Sequence, residues 1–122
     1  MLLVGYLLAG LAGTGIIYVG LGYLFAPEKS AKTFGLPAIP TGTPAFFQLK
    51  GVRDIGSGLV VGAAVLSGGP SVVGWVLLAE AFIPFGDLLV VLRHRGSRAM
   101  AFGVHGLTGA VLVVATLLLV LG

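Results

Sequence analysis

Apolar positions dominate four stretches of the chain, and polar positions collect between them. The apolar runs fall near 2–25, 45–66, 71–92 and 100–121. Each is roughly 20 residues long, as a hydrocarbon core of about 30 Å requires at about 1.5 Å of helix rise per residue. The pattern predicts four membrane-spanning helices. The first run lacks a basic leader and is too long for the core of a signal peptide, so it reads as a helix that stays in place. The second and third runs are divided by "SGGPS", a tight turn by composition. One long connection remains, "APEKSAKTFGLPAIPTGTP". Pro27 suits a first helical position and Gly35 suits the residue just past a helix end, while Ala31 and Phe34 would share a face. A short interfacial helix at about 27–34 is expected there, with a plain basic linker as the alternative.

Composition points the same way. Only 9% of residues are charged, 57% are hydrophobic, and the mean hydropathy is +1.13. A soluble domain of this size needs far more charge to cover its surface. The expected fold is therefore all-α: an integral membrane four-helix bundle forming a single transmembrane domain over residues 1–122. Without cysteine, disulfides, thiolate catalysis and Cys-ligated zinc are excluded. The net charge of +3 becomes a topology signal once it is placed. Lys29, Lys32, Lys50 and Arg53 follow the first run; Arg93, Arg95 and Arg98 follow the third. By the positive-inside rule, loops 26–44 and 93–99 are cytoplasmic and both termini lie outside a cell membrane crossed several times. The charge is not a nucleic-acid footprint.

The polar residues inside the runs need a reason to be there. Counted from the cytoplasmic ends, Arg53, Asp54, Asp87, His105 and Tyr18 all lie roughly 8–10 Å down their helices. Glu80 lies deeper, near the level of Thr14. Glu80 and Asp87 are seven apart and share a face of the third span. Between them Pro84 cannot donate to the Glu80 carbonyl, leaving that oxygen free for a partner. Lys50, Arg53, Asp54 and Ser57 form a stripe on the second span. An ionisable group at a membrane helix centre costs about 2.5–3.5 kcal/mol, so such groups pair or line a wet cavity. An Arg53–Asp87 or Arg53–Asp54 pair is expected, with His105 beside a carboxylate, Lys50 reaching in from the interface and a neutral Glu80 above them. Asp54, Asp87, His105 and Glu80 are the candidate catalytic groups. Arg53, Lys50, Tyr18 and Thr14 are the candidate substrate-binding groups. The plainer alternative is that these side chains hold helices in register, with Tyr18 and Tyr23 as interfacial-belt or packing aromatics.

Small residues recur at four-residue spacing in Gly5-Ala9-Gly13, Gly58-Gly62 and His105-Gly109, which lets helix backbones approach within one bundle or across a homodimer. No Gly-x-Ser-x-Gly elbow, HExxH, Walker loop or haem-attachment motif occurs. No metal and no cofactor are expected, since Arg53 beside Asp54, Asp87 and His105 disfavours a divalent ion.

The elements "APEKSAKTFGLP", "KGVRDIGSGL", "IPFGDLLVVL" and an early "VHG" in the last run follow one another in order. Together they resemble the small four-span membrane proteins of bacteria and fungi catalogued as domain of unknown function 4267. The resemblance covers nearly the whole chain. It places Pro27, Phe34, Gly35, Leu36 and Pro37 in the family's loop motif, and Lys50, Gly51, Arg53 and Asp54 in its second element. Gly86 and Asp87 match its third, and His105 and Gly106 its fourth. Glu80 lies outside all four. The resemblance implies a site and no activity.

Three functions from different classes stay open. A membrane-embedded enzyme would admit a lipophilic molecule from the lipid bilayer, and a carboxylic acid or His105 would move a proton in isomerisation or cyclisation. A proton-coupled exporter of small solutes or drugs would use Glu80 as its proton site. An assembly protein would use the polar layer as a zipper.

Overall fold

The computed structural model describes residues 1–39, 42 and 44–122. Residues 40, 41 and 43 of the expected 26–44 loop lie outside the described residues. Among the described residues five helices form the fold: α1 (Leu2–Phe25), α2 (Pro27–Lys32), α3 (Pro44–Ser67), α4 (Pro70–Arg93) and α5 (Arg98–Leu121). Among the described residues there is no strand, and the fold is an all-α bundle of four long helices.

Three of the four, Leu2–Phe25, Pro70–Arg93 and Arg98–Leu121, are long and apolar enough to cross a membrane. The fourth, α3, also has 24 residues but carries Lys50, Arg53 and Asp54 in its body. Four membrane-spanning helices were expected; among the described residues, length and composition qualify three. Large apolar side chains face outward all around the bundle, among them Leu7, Leu11, Phe46, Leu59, Trp75, Phe82, Leu107 and Leu117. A surface of that kind belongs against hydrocarbon.

Helix ends follow local chemistry. The short α2 begins at Pro27 and stops at Lys32, two residues before the expected end. Thr33 Oγ1 donates to the Ser30 carbonyl at 2.7 Å, and Gly35 then turns the chain at φ +104°, a backbone that only glycine adopts freely. At the other connection, Gly96 N–H donates to the Val91 carbonyl at 2.8 Å and Arg95 takes a positive φ of 55°, closing α4. Ser97 then accepts from Met100 N–H at 3.2 Å and caps α5, which starts two residues earlier than the apolar run suggests. The two connections are tied together, because Ser97 N–H donates to the Gly35 carbonyl at 2.7 Å. The 67–70 turn and both chain ends lie at the opposite end, where Gly122 sits beside Met1 and Leu2.

The long helices pair as α1 with α3 and α4 with α5, and α3 touches α4 only loosely. Glycine makes the first pairing possible. A Cβ on Gly20 would come within 2.7 Å of the Gly51 carbonyl oxygen, and one on Gly51 within 2.6 Å of the Gly20 carbonyl oxygen. Gly13 and Gly58 repeat the arrangement two turns away, with the Gly13 carbonyl at 2.5 Å from a Cβ on Gly58. The close seam therefore runs at seven-residue spacing. Of the four-spaced glycines, Gly5 meets Leu119, Gly13 and Gly58 meet each other's helix and Gly109 meets Phe85, whereas a Cβ on Gly62 would meet no neighbouring element within 4 Å. The apolar core, built on Ala9, Val61, Val73, Leu77, Ala115 and Leu119, fills the end of the bundle nearer the chain termini. Thr116 is buried there, with its hydroxyl 3.1 Å from the Gly74 carbonyl and 2.9 Å from its own Leu112 carbonyl. The other end is not filled.

Candidate functional site

A cavity of about 200 Å³ opens between the α1–α3 pair and the α4–α5 pair, in the half of the bundle nearer the basic connections. Every long helix contributes to its wall, as do Thr33 and Phe34 from the first connection. Each wall position follows from helical phase. On α3, Lys50, Asp54, Ser57 and Val61 recur at four-, three- and four-residue steps and share one face. On α4, Glu80, Pro84 and Asp87 do the same. On α1 the wall is Ala12, Ile16, Val19 and Tyr23.

The last wall comes from a distortion. The first turns of α5 open into a π-helix over Ala101–Gly106, which carries His105. Such wide turns are rare and gather at functional sites. Beyond it, Thr108 and Leu112 complete the wall, and the Thr108 hydroxyl donates to the Val104 carbonyl at 2.7 Å.

The polar groups are arranged in three sets. Lys50 Nζ lies 2.7 Å from Asp54 Oδ2, 4.3 Å from the centre of the Tyr23 ring and 5.3 Å from that of Phe34. A carboxylate and two aromatic faces thus hold one half-buried ammonium. The second set is Ser57, whose hydroxyl donates to the Glu80 carboxylate across the loose α3–α4 seam. The third is His105, which is 7% exposed. Its Nε2 lies 2.8 Å from the Phe34 carbonyl oxygen, and its ring packs on that of Phe34 with centroids 4.3 Å apart. A carbonyl can only accept, so Nε2 carries the proton. Nδ1 then faces Asp87 Oδ2 at 3.9 Å, beyond hydrogen-bond reach.

Asp54, Asp87, His105, Glu80 and Lys50 are therefore brought to one cavity. Arg53, Tyr18 and Thr14 are not. Arg53 is exposed, its guanidinium reaching only the Leu49 carbonyl at 3.3 Å, so neither the Arg53–Asp87 nor the Arg53–Asp54 pair forms. The reason is phase: Arg53 is one residue, about 100° of helix, from Asp54. Lys50, one turn back, takes the ion pair instead. Tyr18 is 79% exposed on the outer face of α1, and the cavity tyrosine is Tyr23, five residues on. Thr14 is also exposed and donates back to the Gly10 carbonyl at 2.8 Å. Phe34 was legible as an apolar loop residue and Ser57 as part of the α3 stripe; nothing in the sequence marked Thr108 or the π-helical turn. Among the described residues no three of His, Asp and Glu converge as a metal-ligand set.

With the geometry in place, comparison with known proteins adds one decisive match. The model of the family described as Domain of unknown function (DUF4267) matches residues 13–119. The chain belongs to this family. No curated protein and no solved structure matches it. The segments that carried the resemblance to DUF4267 converge on one place in the fold. Phe34, Lys50, Asp54, Asp87 and His105 line the cavity. From the same segments, Gly51 makes the α1 seam and Gly35 the turn that carries Phe34, with its Cβ position 2.7 Å from Met100.

Proposed function

We propose that this member of DUF4267 is a multi-pass membrane protein that admits a lipophilic small molecule into its cavity and moves a proton on it by acid–base chemistry. In this reading α3 crosses the bilayer with the three apolar helices, the basic connections are cytoplasmic and both termini lie outside. The observation that carries the proposal is His105 Nδ1 facing Asp87 Oδ2 at 3.9 Å in a cavity whose other walls are largely apolar. A neutral imidazole with a bare Nδ1 is a general base, and the carboxylate opposite stabilises the imidazolium that forms. Glu80 and Asp54 supply further carboxylates to the same cavity, and Lys50 offsets the charge of one.

Access supports the lipophilic half of the reading. Val19, Ile83 and Val104 each line the cavity and are also 42%, 45% and 45% exposed on the outer surface. Apolar residues that face both ways mark openings toward lipid, not toward water. The transport reading has one favourable observation, the deep Glu80 held by Ser57 across the loose α3–α4 seam, which is where an alternating opening would form.

The test is isotopic. Protein reconstituted with a total lipid extract in deuterated buffer is expected to place deuterium into a lipophilic species, followed by mass spectrometry. The His105→Ala variant is expected to leave that species unlabelled. Identical labelling with and without protein would contradict the acid–base reading.

A further inference from the structure

The donors and acceptors on the cavity wall do not balance. Among the described residues, the wall's donors are nearly all engaged. Lys50 gives one hydrogen to Asp54 at 2.7 Å and lies over the Tyr23 and Phe34 rings, the Ser57 hydroxyl donates to Glu80, the Thr108 hydroxyl to the Val104 carbonyl, and His105 Nε2 to the Phe34 carbonyl at 2.8 Å. The Tyr23 hydroxyl can turn to give or accept, so it does not decide the sign. The acceptors are in surplus. His105 is more than nine-tenths buried, yet its Nδ1 has no hydrogen-bond partner among the described residues. Asp87 Oδ2 stands 3.9 Å away across the same space, and the second oxygen of Glu80 is free of Ser57. Two acceptors that face each other without a hydrogen between them repel, and both are open to the cavity, where a donor can reach them.

Charge gives the missing donor its sign. With the carboxylates counted as charged and the imidazole as neutral, Lys50 cancels Asp54 and leaves Glu80 and Asp87 without a cation. A group that donates to both Nδ1 and Oδ2 and carries positive charge settles both imbalances. A hydroxyl has one hydrogen and cannot donate to both; an ammonium has three. The neighbouring Lys50 already shows this protein holding an ammonium with a carboxylate and aromatic faces.

The rest of the ligand is set by the remaining wall. Ile16, Val19, Ile83, Val104 and Leu112 are apolar, and three of them reach the outer surface. A hydrocarbon tail can therefore leave the cavity sideways while its head stays between α4 and α5. We propose that the cavity's ligand is a lipophilic amine whose ammonium donates to Asp87 Oδ2 and His105 Nδ1. This rests on the reading of the cavity as a site for a lipophilic small molecule and names the class of that molecule.

Three probes of equal chain length separate the two levels: dodecylamine, dodecanol and dodecanoate. Each is titrated at neutral pH into the protein held in nanodiscs of zwitterionic lipid, and affinity is read from the thermal shift. Dodecylamine is expected to bind about tenfold tighter than either of the others, the effect of one charge-assisted hydrogen bond in a buried site. Asp87→Asn, which removes the anion and keeps the shape, is expected to bring the three affinities together. If that variant does not fold, the ranking on the wild-type protein decides alone. Dodecanol or dodecanoate binding as tightly as dodecylamine overturns the amine and leaves the lipophilic site standing. Binding by none of the three overturns the site itself.

Discussion

Lys50 and Arg53 are three residues apart on α3, and their charges meet different surroundings. Lys50 holds Asp54, which is 8% exposed, whereas Arg53 lies outside and reaches only a backbone carbonyl. Lys50→Met is expected to cost roughly 3 kcal/mol, because it leaves a buried carboxylate without its cation. Arg53→Met is expected to change stability by less than about 1 kcal/mol, as an exposed charge does. Thermal denaturation in detergent reads both. Equal losses, or a larger loss for Arg53→Met, would contradict the ion pair. The sequence shows all four polar residues of the stripe, Lys50, Arg53, Asp54 and Ser57, and cannot say which way the stripe turns. The direction is fixed by Gly51 and Gly58, which must face α1 and so rotate Arg53 outward. The same rotation on α1, set by Gly13 and Gly20, brings Tyr23 inward and leaves Tyr18 outside.

At the scale of helices, lengths and order are legible because hydropathy and turn chemistry agree. The runs near 2–25, 45–66, 71–92 and 100–121 each lie within three residues of the observed bounds, and "SGGPS" is the turn between α3 and α4. The π-helical turn is different. Its extra residue is held by contacts from elsewhere, the Phe34 carbonyl on His105 among them, and no local signal encodes those. The pairing of α1 with α3 also depends on a spacing of seven that short four-residue motifs obscure. It gives a sharp expectation. Gly51→Ala places a methyl 2.6 Å from the Gly20 carbonyl oxygen and is expected to cost about 1–3 kcal/mol by overpacking. Gly62→Ala meets nothing within 4 Å and is expected to be neutral or to gain about 0.5–1 kcal/mol from helix propensity. A Gly51→Ala protein as stable as the wild type would show that the α1–α3 seam is looser than described.

At the scale of the molecule, the bundle has two unlike ends. One is packed with apolar core, beside the chain ends and the 67–70 turn; the other holds the cavity and the two basic connections, joined through Ser97 and Gly35. The proposed orientation puts the basic end in the cytoplasm. Single cysteines introduced at Ser30 and Ser97 are then expected to react with an impermeant maleimide only after cells are permeabilised, and one at Ser67 without permeabilisation. Reaction at position 30 in intact cells would invert the arrangement. The cavity stands at the centre of the functional account, and its occupancy is the most direct test. Ala12 lines it, and Ala12→Leu adds bulk into its space. Mass spectrometry of small molecules that co-purify in mild detergent is expected to find a lipophilic species with the wild type. The same species is expected to be depleted from Ala12→Leu at unchanged thermal stability. Release of the same species in the same amount from both proteins would contradict a ligand site between the two helix pairs.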